Sequence, residues 1–269
     1  MHPLIKVFGK DISMYGVMLL AGIAAGVCLI LFLCKFKKEQ HLKWWEAIPV
    51  ASIAFAGAII GGIMLRPIMK LPEVIIHWGD IYSNYPIEDV VNYMFGEIVF
   101  YGGLIGGAAG VLISCKKLIK KPVLPIVDLF APAVALGHAF GRIGCLFAGC
   151  CYGMHVSEDH PFAIIYPHAS LSAPPGVPLL AVPVIESCCL LLIAISSTTV
   201  YMRTKRMGLS SGLYFVLYAI TRFTLEFFRG DLVRGVYGGI STSQFISIGI
   251  FIVGSILIWR AFSKPKAVD

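Results

Sequence analysis

Seven stretches of about 20 mostly apolar residues recur along the chain, and each is long enough to cross the hydrocarbon core of a bilayer as a helix. They are residues 14–34, 46–65, 97–115, 122–141, 179–201, 211–229 and 242–262. The hydrophobic fraction of 58% and the mean hydropathy of +0.83 lie above the values typical of soluble domains. The sequence therefore predicts an all-α integral membrane protein with seven transmembrane helices.

The positive charges include four clusters that flank these apolar stretches. The clusters contain Lys35, Lys37, Lys38 and Lys43; Lys116, Lys117, Lys120 and Lys121; Arg203, Lys205 and Arg206; and Arg260, Lys264 and Lys266. Lysine and arginine are enriched in the cytoplasmic loops of membrane proteins. Placing all four clusters inside puts the N-terminus outside and the C-terminus in the cytoplasm. This flanking charge accounts for the net charge of +7, and we expect no nucleic-acid partner.

Two longer segments, residues 66–96 and 154–178, lie on the outer side in this arrangement. The first mixes tyrosine and tryptophan with acids and prolines, a composition suited to the headgroup region. The second carries proline breaks and a short FAIIY run typical of a strand, and we interpret it as a small extracytoplasmic cap. The first apolar stretch lacks a small-residue cleavage pattern, so we expect a retained helix. We expect one transmembrane domain spanning residues 1–269.

Glycines repeat at four-residue spacing on the second and third apolar stretches. Gly57 and Gly61 lie on the second, and FYGGLIGGAAGV on the third includes Gly102, Gly103 and Gly106. Such spacing lets helix backbones approach closely in lipid, so tight packing is the simplest interpretation. A close approach also makes room for a lipid headgroup between helices, and that alternative stays open.

Ionisable side chains at membrane depth are costly and usually face a polar cavity. Seven lie within or at the ends of the predicted spans: Glu97, Asp128, His138, Arg142, Glu186, Arg222 and Glu226. In LYAITRFTLEFFRGD, Tyr218, Arg222 and Glu226 follow one another at four-residue spacing, so they share one helical stripe. Arg229 comes three residues later on the same stripe. An ion pair that merely neutralises Arg222 and Glu226 is the alternative to a functional role.

Arg142 lies near the outer end of the fourth span, in the stretch HAFGRIGCLFAGCCYG. A guanidinium group binds phosphate through two parallel hydrogen bonds, whereas lysine supplies only a point charge. Arg142 and Arg222 come from different spans, and both lie toward the outer leaflet. Together they predict a clamp for the headgroup of an anionic phospholipid.

Cys145, Cys150 and Cys151 form a cluster in the same stretch, with His138 and His155 nearby. Their spacing lacks the C-x2-C pairs of structural zinc sites, and packing is the favoured interpretation. A disulfide cannot be deduced from the spacing. We expect neither a metal nor an organic cofactor.

Six segments resemble, in chain order, the motifs of one family. GRIGCLFAGCCYG is similar to G-R-x-G-N-F-x-N-G-E-x-x-G, and YAITRFTLEFFRGD is similar to Y-x-x-x-R-F-x-x-E-F-x-R. MYGVML resembles a W-Y-G at the start of the first helix, FYGGLIGG resembles H-G-G-L-I-G, PFAIIYP resembles P-W-A-x-x-F-P, and STSQFISI resembles S-x-G-Q-x-x-S-I. The family is that of the prolipoprotein diacylglyceryl transferases, and the resemblance runs from about residue 14 to residue 250.

The resemblance implies seven transmembrane helices in the bacterial cytoplasmic (inner) membrane, with a lateral opening for phosphatidylglycerol. It also implies that the diacylglyceryl group moves to the lipobox cysteine thiol of a prolipoprotein signal peptide, releasing glycerol 1-phosphate. The positions that the motifs carry over are Tyr15, Arg142, Gly153, Tyr218, Arg222 and Glu226. The two arginines and the glutamate are expected to be catalytic, and the other three are expected to bind substrate.

Two positions depart from the family's pattern. Tyr101 stands where the family has a histidine before GGLIG, and Cys145 stands where it has an asparagine after GRxG. Tyrosine, with a reference pKa of about 10, is a weaker general base at neutral pH than histidine, at about 6.5. Either the thiol is activated differently, by a catalytic Tyr101 with His138, or the reaction differs.

The remaining residues expected to bind substrate lie beside these motif positions. They are Gly102, Gly103, His138, Cys145 and Arg229. Two alternative functions stay open. The chain is either a paralogue that uses a phospholipid donor with a different acceptor, or a non-catalytic lipid-binding or transport protein that kept the arginines for headgroup recognition.

Overall fold

The computed structural model describes residues 4–7, 10–37, 42–79, 85–96, 99–166, 172–230, 236–237 and 240–263. Within these residues the chain forms eight α-helices and six short strands. The helices are α1 (Met14–Phe36), α2 (Trp44–Ile76), α3 (Ile87–Phe95), α4 (Phe100–Ile113), α5 (Val123–Ala148), α6 (Val182–Arg203), α7 (Leu209–Glu226) and α8 (Thr242–Ser263). The strands are β1 (Leu4–Val7), β2 (Lys10–Ser13), β3 (Ala163–Ile165), β4 (Pro178–Leu180), β5 (Val236–Tyr237) and β6 (Ile240–Ser241).

Five of these helices, α1, α2, α5, α6 and α8, are long and apolar enough to cross a membrane. Large apolar side chains remain exposed along them, including Leu20, Ile60, Ile195 and Trp259. Extended exposed apolar surface is rare on soluble proteins. The chain is therefore a multi-pass membrane protein, as its apolar stretches predict.

The two other predicted spans, residues 97–115 and 211–229, correspond to α4, which is shorter, and to α7, which is more polar. α4 has 14 residues, and a π-helical turn, Ser114–Leu118, continues it. Its α-helical part is about 21 Å long, against roughly 30 Å for a hydrocarbon core. α7 has 18 residues and carries Arg222 and Glu226 in its apolar sequence. Seven crossings and their orientation therefore stay predictions.

The chain divides into two compact units, Glu39–Ile126 and Met1–Lys38 with Val127–Asp269. In the smaller unit, α2 and α4 pack through glycines, as the four-residue spacing predicts. A Cβ atom on Gly61 would collide with the carbonyl oxygen of Gly102, and one on Gly57 with the carbonyl oxygen of Gly106. Only a residue without a Cβ atom permits this backbone contact, which confirms the packing interpretation at these positions.

In the larger unit, small residues again bring neighbouring helices together. Gly22 of α1 packs against the backbone of α5, and Gly212 of α7 packs against the backbone of α8. Between α5, α6 and α7 a small apolar core contains Ala135, Ile193 and Tyr214. These contacts position the C-terminal halves of α5 and α7, where the predicted arginines lie.

A buried carboxylate, Asp128, ties α5 to the start of α7. It accepts hydrogen bonds from the backbone N–H of Gly208, from the N–H of Ser211 at 2.8 Å and from the Ser211 hydroxyl at 2.7 Å. The first N–H groups of a helix lack intrahelical acceptors and favour negative charge. Asp128 therefore serves as a structural link between the two helices.

The segment predicted as a cap has its own strand pair and its own apolar cluster. β3 and β4 are antiparallel, with Ile164 opposite Leu179, which confirms the strand predicted in FAIIY. His155 forms an isolated bridge to Leu179, and Tyr166 packs against the same leucine. This small substructure lies next in sequence to the end of α5.

Candidate active site

Arg142 and Glu186 form a buried ion pair between α5 and α6. Arg142 Nη2 lies 3.1 Å from Glu186 Oε1, and the two side chains are 13% and 1% exposed. Ser187, the next residue on α6, donates from Oγ to the carbonyl oxygen of Ala139 on α5 at 3.0 Å. A charge buried this deeply needs a partner of opposite sign, so each member of the pair accounts for the burial of the other.

Arg222 forms a second buried ion pair, on α7. Its Nη1 lies 2.9 Å from Glu226 Oε2, and its Nη2 donates to Ser243 Oγ at 2.9 Å. The Arg222 and Glu226 side chains are 11% and 5% exposed. The four-residue spacing on one helical stripe predicts this contact, and the structure confirms it.

A capping box at the start of α8 places Ser243. The Ser241 N–H donates to Gln244 Oε1 at 2.9 Å, and the Gln244 N–H donates to Ser241 Oγ at 3.2 Å. Ser243 lies between these two residues and accepts from Arg222. Sequence reasoning did not single out Ser243, although the S-x-x-Q pattern in STSQ is a capping signal.

Tyr218 and His138 lie near both arginines. Their ring centroids are 5.3 Å apart, and the Tyr214 ring stacks on Tyr218 with centroids 5.9 Å apart. The side chains of His138 and Tyr218 both lie within electrostatic range of the Arg142 and Arg222 guanidinium groups. The structure therefore brings the predicted arginines, the tyrosine and the histidine into one polar cluster of the larger unit.

Arg142 keeps one buried donor unused within the described chain. Its Nε has no hydrogen-bond acceptor among the described residues. An unsatisfied buried donor costs about 1–3 kcal/mol, and more beside a charge. An oxygen atom of a bound ligand would satisfy this donor.

Shortly after Arg142, α5 ends in a Schellman motif. The Cys150 N–H donates to the carbonyl oxygen of Cys145 at 3.1 Å, and the Gly149 N–H donates to that of Leu146 at 3.3 Å. Gly149 has a φ of 65°, a left-handed conformation that glycine adopts without steric cost. The turn folds Cys150 back over the last turn of the helix.

This turn brings three thiols together. The Sγ atoms of Cys145, Cys150 and Cys151 all lie within 4.8 Å of one another. All eight cysteines of the chain are in its described part, and none forms a disulfide there. The spacing alone did not predict this convergence, because the left-handed turn at Gly149 creates it.

Cys151 and Tyr166, which both lie beyond the end of α5, are among the groups with shifted pKa values. Hydrogen bonds from Cys145 and Cys150, together with the positive charge of Arg229, lower the pKa of the Cys151 thiol. Burial raises the pKa of Tyr166 to about 12, so its phenol stays protonated at neutral pH.

Tyr15 lies in the first turn of α1, where its ring packs against α5. A Cβ atom on Gly144 would lie 3.1 Å from Tyr15 Cδ2. The Tyr15 side chain also lies within electrostatic range of Cys145 and Arg142. Tyr15 is 42% exposed, so it lies at the edge of the polar cluster rather than inside it.

Gly153 and Arg229 meet through their backbones in an antiparallel bridge. The Gly153 N–H donates to the carbonyl oxygen of Leu180 at 2.9 Å, and a Cβ atom on Gly153 would lie 2.7 Å from Leu180 Cβ. Gly153 thus joins the end of α7 to the cap. Binding of substrate by Gly153 and Arg229 stays a prediction.

Three predicted residues lie on α4, in the smaller unit: Tyr101, Gly102 and Gly103. Gly102 contacts the backbone of Gly61, and a Cβ atom on Gly103 would lie 3.3 Å from the carbonyl oxygen of Ala58. The Tyr101 side chain lies outside the described residues, as does all of Glu97. Their functional roles stay predictions.

Over most of its length the chain is similar to known proteins of one family. The model of the family described as prolipoprotein diacylglyceryl transferase matches residues 3–260. The chain is 34% identical over 256 residues to phosphatidylglycerol–prolipoprotein diacylglyceryl transferase 2 of Clostridium perfringens, covering 95% of this chain and 93% of that protein. It is 34% identical over 251 residues to the Clostridium tetani phosphatidylglycerol–prolipoprotein diacylglyceryl transferase, covering 93% and 94%. Identity to the Rickettsia conorii protein of that name is 30% over 234 residues, covering 86% and 84%.

Proposed function

The chain belongs to the prolipoprotein diacylglyceryl transferase family, and we propose on this basis that it catalyses the reaction named for its relatives. It transfers the diacylglyceryl group of phosphatidylglycerol to the lipobox cysteine thiol of prolipoprotein signal peptides, the first step of bacterial lipoprotein maturation. The observation that best supports this function is the polar cluster of two carboxylate-paired arginines, in which Arg142 Nε keeps a buried donor.

The proposed enzyme is one transferase domain over residues 1–269, in the bacterial cytoplasmic (inner) membrane. Seven helices cross the bilayer, with the N-terminus outside and the C-terminus in the cytoplasm. Residues 66–96 and 154–178 then lie on the outer side. The four basic clusters support this orientation, because it places all of them on the cytoplasmic side, where lysine and arginine are enriched in membrane proteins. Phosphatidylglycerol reaches the arginines laterally from the membrane.

Arg142 and Arg222 bind the headgroup phosphate. Each guanidinium already balances one carboxylate, so the two ion pairs are together electrically neutral. The phosphate is therefore recognised by N–H donors that the carboxylates leave available, above all Arg142 Nε, rather than by excess positive charge. The aromatic side chains of Tyr218 and Tyr15 contact the remainder of the headgroup.

In the reaction, the lipobox sulfur attacks the carbon of the diacylated glycerol that is bonded to a phosphate oxygen. A C–S bond forms as the C–O bond breaks, and the bonding electrons leave with the phosphate oxygen of glycerol 1-phosphate. The phosphate changes from a singly charged diester to a monoester that develops a second negative charge. Donors fixed in advance on this oxygen stabilise the transition state, typically by about 2.7–4 kcal/mol each. Glu226 orients Arg222 for this task.

The thiol must lose its proton before or during the attack. Tyr101, at the position of the family histidine, positions or deprotonates the thiol with the help of His138. Turnover of Tyr101→His and Tyr101→Phe variants tests this role. We expect histidine to preserve or raise turnover and phenylalanine to lower it. Unchanged turnover in both variants would remove Tyr101 from the mechanism.

The function is tested with purified protein, phosphatidylglycerol labelled in its headgroup glycerol, and a lipobox peptide. We expect labelled glycerol phosphate to be released as the peptide cysteine gains the mass of the diacylglyceryl group. A control peptide with serine in place of that cysteine is expected to stay unmodified. Release without peptide modification would indicate a different acceptor. Headgroup binding without release would indicate a non-catalytic lipid-binding protein. Complementation of a strain depleted of its own transferase checks the result in cells.

A further inference from the structure

We propose that Cys145, Cys150 and Cys151 form a binding site for one thiophilic metal ion, of the Zn²⁺ or Cu⁺ class, at the outer end of α5. The proposal rests on the geometry of the three thiols and on the charges around them. It does not depend on the transferase function.

The distances between the sulfur atoms suit a common ion. A zinc–thiolate bond is about 2.3 Å long, so sulfur ligands on one ion are about 3.8 Å apart at a tetrahedral angle and about 4.0 Å apart in a plane. The three Sγ atoms lie within 4.8 Å of one another before any ion is bound. Closing the remaining gap takes at most about 1 Å of side-chain movement. Thiolate ligands select soft ions of this class over Mg²⁺ or Ca²⁺.

The backbone holds the three ligands in place before binding. The Schellman motif returns Cys150 to the carbonyl oxygen of Cys145, and Cys150 Sγ also lies 3.6 Å from that oxygen. Cys151 has a φ of 59°, which is uncommon for a residue with a side chain and costs about 1–2 kcal/mol. This conformation directs two consecutive cysteines toward the same point. A packing role alone does not require it.

The surroundings favour bound thiolates. Cys151 lies within electrostatic range of the Arg229 and Arg142 guanidinium groups, and Cys145 lies within range of Arg142. Three thiolates around a divalent ion carry one net negative charge, which nearby guanidinium groups offset. Three protein ligands also leave a fourth position of a tetrahedral ion for water or another ligand. Through Arg142, such an ion adjoins the polar cluster.

The experiment measures Cd²⁺ binding to the purified, reduced full-length protein in detergent, by thiolate-to-cadmium charge-transfer absorption. We expect one Cd²⁺ per chain, and loss of that absorption in the variant Cys145→Ser, Cys150→Ser, Cys151→Ser. The matched control is Cys188→Ser with Cys189→Ser, a second pair of consecutive cysteines, on α6. This control is expected to bind like the unaltered chain.

Single variants keep the proposal testable if the triple variant does not fold. Removing even an outer-shell partner of a metal site typically weakens binding by about 10–100-fold, so Cys150→Ser or Cys151→Ser is expected to weaken Cd²⁺ binding at least about tenfold. Cd²⁺ is also expected to raise the melting temperature of the unaltered chain but not that of the triple variant. Equal binding by the unaltered and variant chains would overturn the proposal. A disulfide joining two of the three cysteines in protein isolated from cells would overturn it as well.

Discussion

Replacing Arg222 with lysine separates a directional phosphate contact from a simple positive charge. In the structure, Nη1 of Arg222 contacts Glu226 at 2.9 Å and Nη2 donates to Ser243 at 2.9 Å. A guanidinium has five N–H donors in a fixed plane, so it can keep both contacts and still offer donors to a phosphate. Lysine has one nitrogen and three donors, and it cannot reproduce the two fixed contacts while also facing the ligand.

The expected decrease in kcat follows from the number of hydrogen-bond donors that the substitution removes. Arg222→Lys keeps the charge and one partner but removes at least one of the donors that the proposed mechanism directs at the phosphate. One such donor is worth about 2.7–4 kcal/mol of transition-state stabilisation, which is about 10²–10³ in kcat. The side chain is 11% exposed, so water does not readily replace the missing donor.

The assay follows release of labelled glycerol phosphate at saturating lipid and peptide. Arg203→Lys is the matched control, because it is the same substitution at an exposed arginine, at the end of α6. We expect full turnover from the control and a loss of about 10²-fold or more from Arg222→Lys. Turnover of the Arg222→Lys protein within about threefold of the control would refute the phosphate-binding role, since it corresponds to less than about 1 kcal/mol.

Three further predictions concern stability, measured as melting temperature in detergent. Glu186→Gln leaves a buried guanidinium without its counter-charge, so it is expected to lower the free energy of unfolding by about 3–5 kcal/mol and the melting temperature by at least about 6 °C. The control Glu73→Gln breaks an exposed ion pair and is expected to leave the melting temperature unchanged. Gly61→Ala forces a Cβ atom into the backbone of α4 and is expected to lower the free energy of unfolding by about 1–3 kcal/mol. The control is Gly249→Ala, whose added Cβ atom would have no neighbour within 4 Å, and it is expected to leave the melting temperature unchanged. Asp128→Asn removes the negative charge that accepts three hydrogen bonds, so it is expected to lower the free energy of unfolding by about 1.5–3 kcal/mol. An unchanged melting temperature would show that this link between α5 and α7 is not needed for stability.

The sequence predicts best those features that one helix determines by itself. The pair of Arg222 and Glu226 needs only the 3.6-residue period, because both side chains belong to α7. The glycine contact of Gly61 with Gly102 was predictable in kind, since four-residue spacing marks a close helix contact. The apolar stretches likewise identified the helices, although α2 runs on to Ile76, beyond the predicted span of residues 46–65. Apolar sequence marks the bilayer, and a helix can continue past it.

Contacts between elements were not predictable in the same way. Glu186 was recognised as an ionisable residue at membrane depth, but no spacing identifies Arg142 as its partner on another helix. Ser243 reaches Arg222 only because a capping box fixes the first turn of α8. The three thiols converge because the backbone reverses at Gly149. Each of these depends on a tertiary contact or on a positive φ that residue spacing does not encode.

The link made by Asp128 has a consequence for the distant end of the same two helices. Arg142 comes 14 residues after Asp128, and Arg222 comes 14 residues after Gly208. At a rise of 1.5 Å per residue, both guanidinium-bearing residues stand about 21 Å from one shared starting point, along helices that run the same way. A shift of one residue at that starting point would move one arginine by about 1.5 Å along its helix and turn it by about 100° around the helix axis. The relative alignment of the two arginines thus depends on a carboxylate about 21 Å away from them.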